Sequence, residues 1–347
     1  MPLNRLAVFL FLFTLSLAAK DFSRAWADDK KEATGTTEEP VAVAKPDAAV
    51  SDKKVDGDEK ASKKETQPNA EAEEEIEVEK EGVGEKEADE TAPSPLFPDK
   101  ALEAAVRAVV FEKRFNQEPL TKEDVAKIPH VIGRGKGIKS LEGLQHCVSL
   151  MKIDLENNEI TDLAPIKGLT KLISLSLAGN QVTDISALEP LVKLQLLDLS
   201  RNRIKNLEAV AKMLNLRDLW VAQNLIADLK PVANLPKIWY LDIAKNQVSD
   251  LSVVGKLKWL TTLDVSQNQV TDLKPLASLE DLDLLLFSKN QIRDLSPLVA
   301  MCVADAQGER RFAPYLEVYL GENPLEESRK SQWLEQLRSA GVDVFDK

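Results

Sequence analysis

Asparagine recurs at a fixed interval through the second half of this 347-residue chain. Seven asparagines follow one another at one constant spacing, and an eighth follows the seventh after one and a half spacings: Asn158, Asn180, Asn202, Asn224, Asn246, Asn268, Asn290 and Asn323. Around each one the sequence reads L-x-x-L-x-L-x-x-N-x-I/V-x-x-L, with small variations. A period of this length, kept in phase, predicts a solenoid whose repeats each form one structural unit.

The x-L-x-L-x part of each repeat alternates at the period of a β-strand, so its leucines point to one side. We expect one strand per repeat, stacked in a parallel sheet with neighbours about 4.8 Å apart. The asparagine is expected to be buried, where it can bond the backbone of the turn after the strand. Recurring Asp and Pro in the return segment favour tight turns, so extended or 3₁₀ segments are expected on the convex side.

Both ends of the repeat array carry cap signals. Residues 99–113 have an amphipathic helical pattern, and Thr121 to Asp124 resembles a capping box that starts a second short helix. Residues 326–340 suit a helix that stops at Gly341, and 342–345 suit a last strand. Eleven residues are inserted before the last repeat. The segment 302–314 is either a contact loop or a tolerated insertion, and both remain open.

The N-terminal residues differ in composition. An apolar run over residues 6–19 precedes Ala25-Trp26-Ala27, which predicts a cleaved signal peptide over 1–27; a retained N-terminal anchor is the alternative. Residues 28–95 hold 22 acidic and 10 basic residues and no aromatic one, typical of a disordered linker. Residues 96–347 are nearly neutral, which disfavours nucleic-acid binding. No further apolar stretch is long enough to span a membrane, so no transmembrane span is expected in the mature chain.

Two segments carry the phrase N-x-I/V-T-D-L-x-P-I/L, Asn158–Ile166 and Asn268–Leu276. With the 22-residue period, the chain resembles the internalin-type leucine-rich-repeat proteins of bacteria. The resemblance implies an α/β solenoid, a horseshoe with a parallel β-sheet on its concave face, a helical N-cap (about 97–149), repeats (about 150–323) and a C-terminal helix cap (about 324–347). It also implies a secreted or envelope-associated, non-enzymatic scaffold. No immunoglobulin-like domain or wall-sorting motif follows the repeats, so host-cell adhesion is not inferred.

Candidate binding residues lie between the strand leucines, which would face the concave side. Trp220, Trp239 and Tyr240 fall on neighbouring strands, and exposed aromatic side chains are typical binding anchors; the competing interpretation is that they only cover each other. Trp259 lies just before the next strand and would extend this patch. Asp242 and Asp264 fall in one column on adjacent strands and would share a basic side chain or a cation, although a solvated acidic face is the favoured interpretation of that column.

Other kinds of site are disfavoured. Cys147 and Cys302 lie seven repeat steps apart, roughly 30 Å, beyond the ~7 Å reach of a disulfide. His130 and His146 lack the spacing of a zinc site, and no phosphate-binding loop or nucleophile motif occurs. We therefore expect no cofactor, no metal and no catalysis. The predicted function is binding of a protein partner, and the alternatives are a structural envelope component without a high-affinity ligand or a glycan binder. The oligomeric state is left open.

Overall fold

Ten three-residue strands form one parallel sheet in the computed structural model, which describes residues 95–347. The predicted signal peptide (1–27) and all but the last residue of the predicted linker (28–95) lie outside the described residues. The strands run in chain order across the sheet: β1 His130–Ile132, β2 Lys152–Asp154, β3 Ser174–Ser176, β4 Leu196–Asp198, β5 Asp218–Trp220, β6 Tyr240–Asp242, β7 Thr262–Asp264, β8 Leu284–Leu286, β9 Glu317–Tyr319 and β10 Asp343–Phe345.

The pairing register repeats with the sequence. Neighbouring strands from β1 to β8 are offset by one repeat period, so that Leu197 pairs with Leu219, and β8 pairs with β9 at an offset of one and a half periods. The middle residue of each strand points into the solenoid, where one core extends from Phe97 to Val342. No single repeat could bury these side chains alone, so stacking is what stabilises them. The predicted solenoid with a cap at each end is confirmed.

Each ladder asparagine connects two repeats. Asn224 Oδ1 accepts a hydrogen bond from the backbone N–H of Ile204 at 2.9 Å, one repeat earlier. Its Nδ2 donates to the carbonyl oxygens of Leu199 and Val221, each at 3.0 Å. The same pattern recurs from Asn158 to Asn323. These bonds satisfy buried backbone groups that the short strands leave unpaired.

The residue before most ladder asparagines has a left-handed backbone. Arg201, Gln223 and Lys245 have φ of 57°, 55° and 55°, and in the stack only Gly135 and Gly179 are glycines at this position. For a non-glycine residue this conformation is about 1–2 kcal/mol higher in free energy than a right-handed one. The asparagine bonds and the backbone bond to the next repeat, such as Arg201 N–H to Ala222 O at 2.8 Å, offset that cost.

The convex side is built mostly of 3₁₀ turns, as expected from its Asp and Pro columns. Seven such segments lie between the strands up to β8: Leu144–His146, Ala164–Ile166, Ser186–Leu188, Glu208–Val210, Lys230–Asn234, Val254–Lys256 and Lys274–Ser278. Asp162 and its equivalents open these turns, with the Asp162 carboxylate accepting from the Ala164 N–H at 2.8 Å. The prediction fails after β8, where a 12-residue helix, α3 (Ser296–Gln307), replaces the 3₁₀ turn.

The N-terminal cap contains two helices, α1 (Lys100–Arg107) and α2 (Lys122–Val125). Asp99 caps α1 through bonds from Ala101 and Leu102, and Thr121 with Asp124 forms the predicted capping box of α2. The prediction of a helix over 99–113 is wrong after Arg107. The Arg107 guanidinium donates to the carbonyl oxygens of residues 113, 116 and 118, which holds the following segment in turns.

The C-terminal cap encloses the insertion. Asp305, near the end of α3, accepts bonds from the backbone N–H groups of Arg311, Phe312 and Ala313 at 2.9–3.2 Å. Helix α4 (Glu327–Ser339) then buries Trp333, Leu334 and Leu337, as predicted, and ends before Gly341 at φ 96°. Strand β10 completes the sheet against β9. The insertion is therefore an ordered part of the cap.

Candidate functional site

The concave face displays the first and third residue of every strand, because the middle residue points into the core. In the central strands β4 to β7 this face carries two aromatic rings, four carboxylates and one hydroxyl: Trp220, Tyr240, Asp198, Asp218, Asp242, Asp264 and Thr262. We call this set, together with Trp239 immediately before β6, the central cluster. Most of the residues predicted for partner binding therefore lie together, and their role in binding stays a prediction.

Two aromatic rings form the middle of the central cluster. The Trp220 and Tyr240 ring centroids lie 5.1 Å apart with the planes tilted by 40°, within the range of favourable aromatic pairs. Both side chains are half-buried, so each keeps an accessible surface. The rings thus cover each other in part while leaving a shared apolar surface on the sheet.

Trp239 is held at the edge of the cluster by a hydrogen bond that the sequence did not suggest. Its indole Nε1–H donates to Asp218 Oδ1 at 2.6 Å. Burial raises the pKa of Asp218 to about 6, against the opposing effects of this bond and of the charge on Arg217. Register could have suggested the contact, since Trp239 immediately precedes the residue that pairs with Asp218.

Three aspartates of the acidic column, Asp154, Asp242 and Asp264, are buried and Asp198 is half-buried, which corrects the expectation of a solvated face. Asp242 and Asp264 are only 2% and 1% exposed. Asp242 accepts from the backbone N–H of Ala244 at 3.0 Å, and Asp264 from that of Ser266 at 2.9 Å. These carboxylates therefore have a structural task, bonding the turn that follows each strand, besides any contact with a partner.

Burial also alters the ionisation of the cluster. It raises the pKa of Asp198, although the bond from Ser200 opposes the shift. Burial, followed by the charge of Asp242, raises the pKa of Tyr240, so its hydroxyl stays protonated at neutral pH. The cluster therefore presents rings and a phenol hydroxyl among acidic groups.

Trp259 lies apart from these rings. It is 63% exposed on the loop before β7, and no ring contact joins it to another aromatic side chain within residues 95–347. The predicted extension of the aromatic patch to Trp259 rests on sequence proximity alone.

The two ends of the concave face differ from its centre. At the N-terminal end the Arg134 guanidinium bonds both oxygens of Asp154, at 2.7 and 2.6 Å, which neutralises that carboxylate. At the C-terminal end Tyr319 stacks on Phe345 with centroids 4.5 Å apart. Phe345 was not among the predicted site residues, although its position on a last strand beside Tyr319 could have indicated it.

Other reactive groups are isolated. Both cysteines are buried free thiols, as expected, and burial raises the pKa of each to about 12. Among residues 95–347 no group of three or more His, Cys, Asp or Glu is arranged to hold a metal ion. Over the same range no helix is long and apolar enough to cross a membrane.

Comparison with known proteins identifies the family. Leucine-rich-repeat family models match residues 148–204 and, for two repeat copies, residues 236–278. Internalin C2 from Listeria monocytogenes is 37% identical, with 59% of this chain and 91% of that chain aligned at a TM-score of 0.57. The chain belongs to the internalin-type leucine-rich-repeat proteins.

Two further solved structures share the fold. The internalin InlF from Listeria monocytogenes is 28% identical, covering 75% of each chain, with a TM-score of 0.62. A leucine-rich-repeat protein from Leptospira interrogans, 23% identical over 59% of this chain and 57% of that one, shares the fold at a TM-score of 0.51. A search of curated proteins gave no significant match.

Proposed function

We propose that this internalin-type protein is a non-enzymatic scaffold, secreted or held at the cell envelope, that binds a protein partner through its concave face. The observation that carries the proposal is the central cluster in the middle of the sheet, where Trp220 and Tyr240 lie on the neighbouring strands β5 and β6 and Trp239 lies just before β6. Trp259 lies at the flank of the cluster, and we include it as a contact residue. Asp242 and Asp264, predicted as contact residues, are 2% and 1% exposed, so we assign them the bonds that hold the turns after β6 and β7.

Rigid aromatic side chains suit such a role. Tyr and Trp supply a large contact area and lose few rotatable bonds on binding. Here the ring pair and the Trp239–Asp218 bond already fix the side chains, which lowers the entropy lost on association. Binding hot spots are enriched in these residue types and lie near the centre of an interface, as the cluster does on this sheet.

A binding role explains the carboxylates better than catalysis does. Glycoside hydrolysis needs two carboxyl groups with different pKa values on either side of a substrate. Asp242 and Asp264 lie side by side on adjacent strands of an open sheet, and each accepts a backbone bond. The pKa of Asp218 is raised by burial, against the opposing effect of its bond from Trp239. Burial alone therefore explains this shift, without a catalytic role.

Placement outside the cytoplasm rests on the N-terminal sequence. The apolar run over 6–19 and Ala25-Trp26-Ala27 are the pattern of a signal peptide. We propose cleavage after Ala27 and export of residues 28–347.

The experiment compares three forms of residues 28–347 immobilised on beads and incubated with extracellular and envelope fractions. These are the wild type, a cluster variant (Trp220→Ala with Tyr240→Ala) and a matched control (Phe115→Ala with Tyr315→Ala), whose rings are exposed away from the central cluster. A partner captured by the wild type is then purified and its Kd measured for all three. We expect the cluster variant to weaken binding by about 30-fold or more, since hot-spot truncation costs about 2–4 kcal/mol.

The control should bind as the wild type does, and Tyr240→Phe should retain most affinity because the ring is kept. Equal binding by the cluster variant and the wild type would remove the concave face from the mechanism. Thermal unfolding of each variant verifies that a loss of binding is not a loss of fold.

A further inference from the structure

The loops that lead into the strands form a second surface beside the concave face. Six consecutive loops precede β2 to β7 and contain no Asp or Glu, in a chain with 57 acidic residues. We call them the ascending flank, and they comprise residues 147–151, 169–173, 191–195, 213–217, 235–239 and 257–261.

Backbone hydrogen bonds join these loops into one continuous side of the solenoid. Ile173 N–H donates to Met151 O at 2.8 Å, and the same bond repeats through residues 195, 217, 239 and 261 at 2.8–3.0 Å. Side chains continue the ladder, since Lys237 Nζ donates to Asn215 Oδ1 at 2.7 Å. Residues of neighbouring loops are therefore adjacent on one surface.

The ascending flank exposes large apolar side chains among bases. Leu214 is 51% exposed and Trp259 63%, and four more large apolar residues are exposed in these loops: Val148, Met151, Ile173 and Val192. Five bases accompany them: Lys171, Lys193, Arg217, Lys237 and Lys258. Within residues 95–347 none of these five forms an ion pair. The seventh loop ends the surface, because Glu280 and Asp281 appear there and pair with Arg311.

The opposite side of the repeats carries both signs of charge. Six exposed aspartates follow the strands there: Asp162, Asp184, Asp228, Asp250, Asp272 and Asp294. The aspartates on that side are accompanied by bases such as Lys205, Lys230 and Lys274, with Lys230 paired to Asp228, whereas the ascending flank carries bases without acids. An exposed apolar patch of this extent indicates an interaction surface.

We propose that the ascending flank binds the surface of an anionic phospholipid bilayer. Lysines attract anionic headgroups while their methylene stems lie along apolar surface. Tryptophan favours the membrane–water interface, where its ring is buried and its N–H stays wet. The exposed Trp259 and Leu214 would enter that interface between the lysines.

The backbone of the flank cannot pair with an added peptide strand. The N–H groups of residues 173, 195, 217, 239 and 261 already donate within the solenoid, so no strand can be added along this side. Contact must come from side chains alone. The proposal is independent of the concave-face function, because the residues named for the two surfaces share only Trp239 and Trp259.

The test uses residues 95–347, which contain the whole described core and lack the apolar run at 6–19 that would itself bind lipid. Vesicles of phosphatidylcholine with phosphatidylglycerol are compared with vesicles of phosphatidylcholine alone in co-sedimentation. The flank variant is Lys171→Glu, Lys193→Glu and Lys237→Glu. The matched control is Lys205→Glu, Lys230→Glu and Lys274→Glu, an equal charge change at exposed lysines outside the flank.

We expect the wild type and the control to bind the anionic vesicles and the flank variant to bind on the order of 100-fold more weakly, from about fivefold per lysine. Trp259→Ser with Leu214→Ser should weaken binding also at high salt, where charge is screened. Trp220→Ala with Tyr240→Ala should bind vesicles as the wild type does.

Three results would overturn the proposal. They are failure of the folded wild type to bind anionic vesicles, equal loss in the control, and vesicle-free self-association that the flank variant abolishes. The last would assign the surface to a second copy of the chain, whose exposed aspartates would supply the opposite charge. Light scattering without vesicles separates that outcome from lipid binding.

Discussion

Replacing one ladder asparagine by alanine should cost the repeat array a large share of its stability. In Asn224→Ala the buried backbone N–H of Ile204 loses the side-chain oxygen that accepts it at 2.9 Å. The carbonyl oxygens of Leu199 and Val221 lose one bond each but retain another, from Asn202 and Asn246 at 2.9 Å. A third, longer bond from Asn224 to the Ala222 carbonyl oxygen at 3.3 Å is also lost, while that oxygen keeps the bond from the Arg201 N–H. The damage is therefore one orphaned donor, two weakened acceptors and this longer bond.

The magnitude follows from that count. An unsatisfied buried donor costs about 1–3 kcal/mol and each lost bond to a still-satisfied acceptor about 0.5–1.5 kcal/mol. The expected loss is about 4 kcal/mol, a large fraction of the roughly 5–15 kcal/mol by which a domain is stable. Urea unfolding followed by circular dichroism measures it as a shift in midpoint.

Asn234→Ala is the matched control, because Asn234 is exposed on the convex side. It should change the free energy of unfolding by less than about 0.5 kcal/mol. If Asn224→Ala cost less than about 1 kcal/mol, or no more than the control, the ladder asparagines would not stabilise the fold by bonding buried backbone groups. If the free energy of unfolding of Asn224→Ala alone fell less steeply with urea concentration, the array would instead unfold in two parts.

Two further predictions concern carboxylates that bond neighbouring groups. The pKa of Asp218 is raised to about 6 in the folded protein and is near 4 in the unfolded chain. Ionising Asp218 therefore lowers the free energy of unfolding by at most about 3 kcal/mol. This loss of stability should grow as the pH rises from about 4 through 6. Asp218→Asn should remove that dependence, and urea midpoints of the two proteins that run parallel across this range would contradict it. In Asp305→Ala three backbone N–H groups lose their acceptor, so trypsin should cleave after Arg310 and Arg311 faster than in the wild type. Asp272→Ala, which removes a single turn bond, should leave that cleavage rate unchanged, and equal rates in both variants would refute the role of Asp305.

The repeated elements could be predicted from the sequence because one rule of local pattern applies many times. The strands, the 3₁₀ turns and the helix α4 follow from apolar spacing and from Asp, Pro and Gly at fixed positions. Pairing register also follows, since a slip of one residue would turn every leucine outward.

The departures depend on contacts between distant residues. Helix α1 ends at Arg107 because its guanidinium holds carbonyl groups up to 11 residues further along. Helix α3 forms where the chain has extra residues and Asp305 bonds the returning segment. The burial of Asp242 and Asp264 follows from their neighbours in the stack, which a single repeat does not reveal.

The candidate site was predictable in position more than in chemistry. Counting from the asparagines places Trp220 and Tyr240 on adjacent strands, and the structure adds the ring contact at 5.1 Å. Spacing places Trp239 next to the residue that pairs with Asp218, but the bond itself depends on side-chain rotamers, which spacing does not determine. The sequence shows that the loops of the ascending flank contain no Asp or Glu. That these loops form one surface follows only from the way the repeats stack.

The constant offset of one repeat period between neighbouring strands from β1 to β8 makes the solenoid modular in length. Removing one period between two equivalent positions joins a strand to a neighbour that offers the same backbone partners as the one lost. Duplicating a period does the same. The length of the concave face can therefore change in whole-repeat steps while both caps keep their contacts. Duplication or deletion of a repeat, more than substitution, would adapt the protein to partners of a different size with little loss of stability.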